Sequence, residues 1–167
     1  MTMRITLRKA VAEDAPAIAV LRAEVAADLT ARFGQGAWSG AGTERGVLFD
    51  MRHSAVYVWT RGHQVLASLR LATKKPWAID TSYFTPCQRP LYLLSMAVHP
   101  DWQRKGVGRG CIAEAVRLAS DWPADAIRLD AFDAPAGAGE FYRKCGLREV
   151  GRVTYKGAPL IYFEQLV

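Results

Sequence analysis

The sequence predicts one α/β domain, α+β in its arrangement, with about six or seven strands and about four helices. Three observations lead there. Apolar residues alternate with polar ones near both ends of the chain. Helical spacing of apolar residues recurs between those stretches, and Gly- and Pro-rich segments separate the two periods. A length of 167 residues, half of them hydrophobic, suffices to bury one core and is short for two ordinary domains, so residues 1–167 are read as a single domain.

Taken in order, Ile5 and Leu7 alternate with Thr6 and Arg8 as in a half-buried strand. The period then changes over residues 14–32, where Ile18, Leu21, Val25 and Leu29 mark one face of a helix, with Pro16 in its first turn and Asp14 placed to cap it. Five glycines around Trp38 in residues 33–46 predict a loop, and a short helix is expected over 44–52. Apolar runs at 55–60 and 65–72, joined by Arg61-Gly62-His63-Gln64, predict an antiparallel hairpin. Residues 74–90, with Pro76, Pro86 and Pro90, read as an excursion from the sheet whose aromatics Trp77, Tyr83 and Phe84, together with Trp38, are candidates to line a pocket.

Residues 91–98 are almost continuously apolar, as in a central strand covered on both faces. A helix is expected from Gly106 to about Ser120, ended by Pro123, then a strand at 127–131 and a short helix through Phe141 and Tyr142 that stops at Gly146. Strands at 149–155 and 160–166 flank a turn at Lys156-Gly157-Ala158-Pro159.

With 22 Lys and Arg against 16 Asp and Glu, the net charge of +6 favours an anionic partner without choosing among nucleic acid, a membrane surface and a phosphate-rich small molecule. The cations are scattered and no nucleic-acid reading motif is present, so nucleic acid is not expected. No apolar run is long enough for a signal peptide or a membrane span, and Cys87, Cys111 and Cys145 are too few for a disulfide scaffold, so a cytoplasmic protein is expected. No spacing of His, Cys or carboxylates suits a metal, and none is expected.

The chemistry concentrates where the central strand gives way to a glycine-rich helix start. There Gln103, Arg104, Lys105, Gly106, Val107, Gly108 and Arg109 precede Gly110. Unpaired N–H groups at a helix start, the helix dipole and the missing Cβ atoms of the glycines suit a pyrophosphate, and the cations add charge around it. The segment lacks the GxxxxGK[ST] pattern and the full GxGxxG spacing.

VHPDWQRKGVGRG, residues 98–110, resembles the cofactor-binding motif of the GNAT N-acetyltransferases, and GEFYRKCGL, residues 139–147, resembles the same family's "FY, three residues, GF" segment. The resemblance implies a mixed, mostly antiparallel sheet with a splayed central strand pair and acetyl-coenzyme A as cofactor. It places the pantetheine arm beside Met96, Ala97 and Val98 and the pyrophosphate on the backbone of residues 104–109. Direct attack of an amine on the thioester is implied, with backbone donors near Met96–Val98 facing the oxyanion. Tyr142 matches a tyrosine that serves many members as general acid to the thiolate.

Two departures stand out. Leu94 and Ser95 occupy positions where many members carry a carboxylate, and Pro135 stands where an asparagine is common. The general base stays open among water, Glu44, Asp50, His53, Asp80 and Asp130, while His99 and Cys111 read as structural. A small-molecule amine is the expected acceptor, a protein amino terminus or lysine the alternative, and a non-catalytic acyl-coenzyme A sensor the rival reading. Pairing of two copies through edge strands is compatible with the resemblance.

Overall fold

These periodicities become seven strands and four α-helices in the computed structural model, which describes residues 4–40 and 42–167. The first three residues of the N-terminal segment and Ala41 of the glycine-rich loop lie outside the described residues. In chain order the elements are β1 (Thr6–Lys9), α1 (Ala15–Phe33), α2 (Glu44–His53), β2 (Ala55–Arg61), β3 (Gln64–Ala72), β4 (Pro90–Val98), α3 (Val107–Asp121), β5 (Ala126–Phe132), α4 (Gly139–Lys144), β6 (Arg148–Tyr155) and β7 (Ala158–Leu166). The strand order is β1-β2-β3-β4-β5-β7-β6. Pairings β1/β2, β2/β3, β5/β7 and β6/β7 are antiparallel and β4/β5 is parallel, which makes the sheet mixed and mostly antiparallel. Two units divide the chain: Met1–Leu71 with Leu94–Cys111, and Ala72–Leu93 with Ile112–Val167.

In the first unit, Ile18, Leu21 and Ala26 of α1 are buried, and a core forms from Ala15, Ile18, Val47, Val56 and Val58. The expected cap at Asp14 is corrected. Asp14 is itself helical and its carboxylate turns back to accept from the Val11 N–H at 2.8 Å and from both terminal nitrogens of Arg8 at 2.7 and 2.8 Å. A three-residue 3-10 turn, Ala12–Asp14, precedes the helix and takes the capping donor upstream of it. The hairpin loop is tighter than expected: Arg61 pairs with Gln64, so Gly62 and His63 alone make the turn, with Gly62 at φ +61°.

In the second unit, β5 lies parallel to β4 from Pro90↔Ala126 to Tyr92↔Arg128 and antiparallel to β7 along its whole length. The turn between β6 and β7 also shrinks to two residues. Lys156 and Gly157 sit at φ +48° and +79°, the twist that a two-residue hairpin requires, and Ala158 and Pro159 join the ladder.

The excursion of residues 73–89 is fastened by a polar row across three strands, where Glu164 of β7 lies opposite Arg128 of β5 and Arg148 of β6. Glu164 is 2% exposed and accepts from the Thr85 N–H at 3.1 Å, the Thr85 hydroxyl at 2.6 Å and Arg148. Arg128, 4% exposed, donates to the Thr85 carbonyl at 2.9 Å and lies over the Phe84 ring. Phe84 is therefore core, and Tyr83 packs so closely on Gly151 that a Cβ there would fall 2.3 Å from its ring. Trp77, at 84% exposure, projects into solvent, while Trp38 folds over Gly36 with its indole N–H on the Gly34 carbonyl.

The central strand also departs from expectation. Leu91, Tyr92, Leu93 and Ala97 are buried, but Ser95 is exposed and sits at φ +52°, in the left-handed region that a non-glycine residue seldom adopts. A left-handed residue breaks the two-residue alternation, so the last three residues of β4 are re-aimed after it.

Candidate functional site

The glycine-rich segment lies in the first unit together with the end of β4. After Val98, His99 starts a 3-10 turn, Pro100–Trp102, in which its Nδ1 accepts from the Asp101 N–H at 3.1 Å while Nε2 faces Glu24 at 2.7 Å. Both ring nitrogens are engaged, which makes His99 a structural residue of the turn. The Gln103 side chain donates to the Val98 carbonyl at 3.0 Å and ties the loop to the strand end.

Arg104 and Gly106 follow in the left-handed region, at φ +59° and +84°, and this double reversal carries the chain into α3. The first helical hydrogen bond runs from the Gly110 N–H to the Gly106 carbonyl at 3.0 Å, so the N–H groups of Val107 and Gly108 precede the ladder at the helix start. A Cβ built on Gly106 or Gly110 meets nothing within 4 Å, so the space beside both is open. Lys105 and Arg61 both lie over the Trp102 ring, at 5.2 Å, which gathers two cations beside the loop. A donor-rich helix start, open space and nearby cations fit a pyrophosphate.

Tyr142 belongs to the second unit, on α4, which the left-handed Gly146 closes at φ +89°. It is 8% exposed and packs against Phe141 and Phe163. Burial, then the charges of Asp130 and Cys145, push its phenol well above the ordinary tyrosine range, so it stays protonated at neutral pH. Burial also raises the Asp130 carboxyl.

Three of the remaining base candidates have partners. Asp50 is shared by Arg22 at 3.0 Å and Arg70 at 3.5 Å, and Asp80 caps the 3-10 turn Thr81–Tyr83 through Ser82, which holds its carboxyl below the usual range. His53 stacks on Phe49 and directs Nδ1 to the Phe49 carbonyl at 2.8 Å. Glu44 lies in the first turn of α2, close to the N–H groups that Thr43 caps.

Cys111 is fully buried and its thiol is pushed up to about 12, so it is a core residue and a poor nucleophile. Pro135 lines a cleft of about 470 Å³ with Asp133, Gly139, Glu140, Arg143 and Arg152. It brings neither a side-chain amide nor a backbone N–H to that cleft. The charged residues there are paired, Arg152 with Asp133 at 3.2 Å and Arg143 with Glu140 at 3.4 Å.

Sequence reasoning missed the Arg22–Asp50–Arg70 cluster, whose members are far apart in the chain. The left-handed Ser95 escaped it too, because nothing in a serine marks that conformation. Among the described residues, no group of three His, Cys, Asp or Glu can hold a metal ion and no helix is long and apolar enough to cross a membrane.

Comparison with known proteins bears on the family and the fold. A glucosamine 6-phosphate N-acetyltransferase from Schizosaccharomyces pombe is 35% identical over 60 residues, a match that spans 36% of this chain and about half, 51%, of that relative. Among solved structures, a GNAT family acetyltransferase from Listeria monocytogenes superposes with a TM-score of 0.75 at 16% identity, covering 100% of this chain and 99% of that one. The structure of yncA from Salmonella typhimurium, which holds its cofactor acetyl-CoA, gives a TM-score of 0.69 at 16% identity over 97% of this chain and 93% of that one. At such identities these two likenesses speak for the fold alone. The family model for the acetyltransferase (GNAT) family matches residues 23–147, most of the chain and both motifs, and the chain therefore belongs to the GNAT acetyltransferases, whose acetyl donor is acetyl-coenzyme A.

Proposed function

We propose that the chain, acting as one cytoplasmic domain, transfers an acetyl group from acetyl-coenzyme A to a primary amine of a small-molecule acceptor. The observation that carries this reading is the start of α3, where the N–H groups of Val107 and Gly108 precede the helical ladder and follow the left-handed Arg104 and Gly106, inside the span of the family match. When bound, acetyl-coenzyme A supplies a thioester carbonyl with a thiolate leaving group. The backbone of Arg104, Lys105, Gly106, Val107, Gly108 and Arg109 holds the pyrophosphate. Met96, Ala97 and Val98 line the pantetheine arm, and their backbone donors face the developing oxyanion, a contribution of roughly 3 kcal/mol per donor.

Tyr142 keeps its proton on the phenol oxygen at neutral pH and is the chain's donor to the departing sulfur. The burial of Cys111 argues against an acetyl-cysteine intermediate. Asp50 and Asp80 are held by their partners, which leaves solvent, Glu44, His53 and the partly buried Asp130 for proton removal from the amine. The name of the fission yeast relative, an amino-sugar phosphate acetyltransferase, favours a small acceptor over a protein terminus.

Thiol release from acetyl-coenzyme A across a panel of amines tests the reading. Release with at least one amine is expected, and cofactor binding without release for any amine favours a sensor instead. Tyr142→Phe is expected to lower kcat by about a hundredfold while leaving cofactor affinity unchanged. Unchanged turnover removes Tyr142 from the mechanism.

A further inference from the structure

Two arginines in the first unit share a single carboxylate. Arg22 of α1 reaches Asp50 of α2 at 3.0 Å through one terminal nitrogen, and Arg70 of β3 reaches the other Asp50 oxygen at 3.5 Å. The cluster carries a net charge of +1 while largely withdrawn from water, since the two arginine side chains are 13% and 23% exposed and Asp50 is 16% exposed. Arg22 Nε and the second terminal nitrogen, the edge that grips a carboxylate side-on, are buried without a hydrogen-bond partner among the described residues. A partly buried cation left without full compensation is costly, and an anion relieves that cost.

Arg70 is the member of the cluster placed to receive that anion. Its three contacts are all long: Nε to the Ser95 hydroxyl at 3.3 Å, Nη1 to the Ser54 hydroxyl at 3.4 Å, and Nη1 to Asp50 at 3.5 Å. Good N–H···O bonds fall at about 2.7–3.2 Å, so Arg70 is steered by these contacts without being saturated by them. Its Ser95 contact is the exposed left-handed residue of β4, immediately before Met96. The strand there presents a hydroxyl that accepts from a guanidinium, beside a cluster of positive net charge.

We infer that the acceptor carries an anionic group, a carboxylate or a phosphate, near the amine that is acetylated, and that Arg70, backed by Arg22, binds it beside Ser95. This rests on the N-acetyltransferase reading and deepens it. Arg70 is a specificity residue on this account.

The test compares kcat/KM of the full chain for amines paired so that only the anion differs: an amino acid against its amide, and an amino-sugar phosphate against the unphosphorylated amino sugar. The anionic member of at least one pair is expected to be preferred by about tenfold or more, and which pair responds tells carboxylate from phosphate. In Arg70→Gln that preference should fall to within about threefold through a rise in KM, with acetyl-coenzyme A affinity unchanged, and Arg70→Lys should keep part of it. The inference is overturned if amines are acetylated but the neutral member of both pairs serves as well, a comparison that stands even if Arg70→Gln does not fold. It is also overturned if the preference survives in Arg70→Gln. Absence of thiol release with every amine overturns the acetyltransfer reading, and the inference falls with it.

Discussion

Gly108→Glu is expected to weaken acetyl-coenzyme A binding by about a hundredfold, about 2.7 kcal/mol, while the protein melts no lower than the unaltered chain. The two effects have opposite signs for separate reasons. Gly108 is the second residue of α3, and there a glutamate replaces a poor helix former and places a negative charge at the positive end of the dipole, a gain of roughly 0.3–1 kcal/mol at most sites. The same side chain fills the approach to the N–H groups that precede the Gly110 to Gly106 bond and repels a pyrophosphate. Titration calorimetry and a melting curve on the one variant separate the two. A variant that binds normally shows that the pyrophosphate lies elsewhere, and one that binds weakly because it is unfolded is recognised by its melting curve.

Glu164→Ala is expected to cost about 3 kcal/mol of stability, a fall in Tm of roughly 6–12 °C. The carboxylate is buried and serves the Thr85 N–H, the Thr85 hydroxyl and Arg148 at once, so its removal strands buried donors. Arg148→Ala should cost under about 1 kcal/mol, because that side chain is 67% exposed. If the two variants melt alike, the three-strand row does not fasten residues 73–89.

The row also carries a pH signature. Burial alone raises the Glu164 carboxyl, but hydrogen bonds from Thr85 and Arg148 outweigh it and hold it below its ordinary value. A carboxyl lowered by folding stabilises above its unfolded pKa of about 4.3, and that contribution is lost as pH falls through the folded value. The stability gap between the unaltered chain and Glu164→Ala should therefore narrow below about pH 4. A gap that stays constant from pH 7 down to pH 3 would contradict this account of the carboxyl.

Element order was legible because most element boundaries coincide with a proline or glycine, as at Pro16, Gly62, Pro90 and Gly146. Turn lengths were less so. Arg61 and Gln64, and likewise Tyr155 and Ala158, join their ladders because pairing continues until two residues remain to reverse the chain. The loop aromatics misled for a different reason. Phe84 and Tyr83 lack periodicity, and only the long-range packing of Tyr162 and Gly151 reveals that they cover the sheet. Within the candidate site, Gly106 and the helix start were readable from glycine spacing. The Gln103 contact to the strand end and the Arg22–Asp50–Arg70 cluster depend on partners that no local pattern announces.

The central claim is that the end of β4 and the start of α3 hold acetyl-coenzyme A. Amide NMR of the isotopically labelled chain, titrated with unlabelled coenzyme A, reads those N–H groups directly. The account predicts saturable shifts that are largest at Lys105, Gly106, Val107, Gly108 and Arg109, with smaller ones at Met96, Ala97 and Val98. Saturable binding that leaves these amides unmoved, or no binding at millimolar coenzyme A, would contradict it.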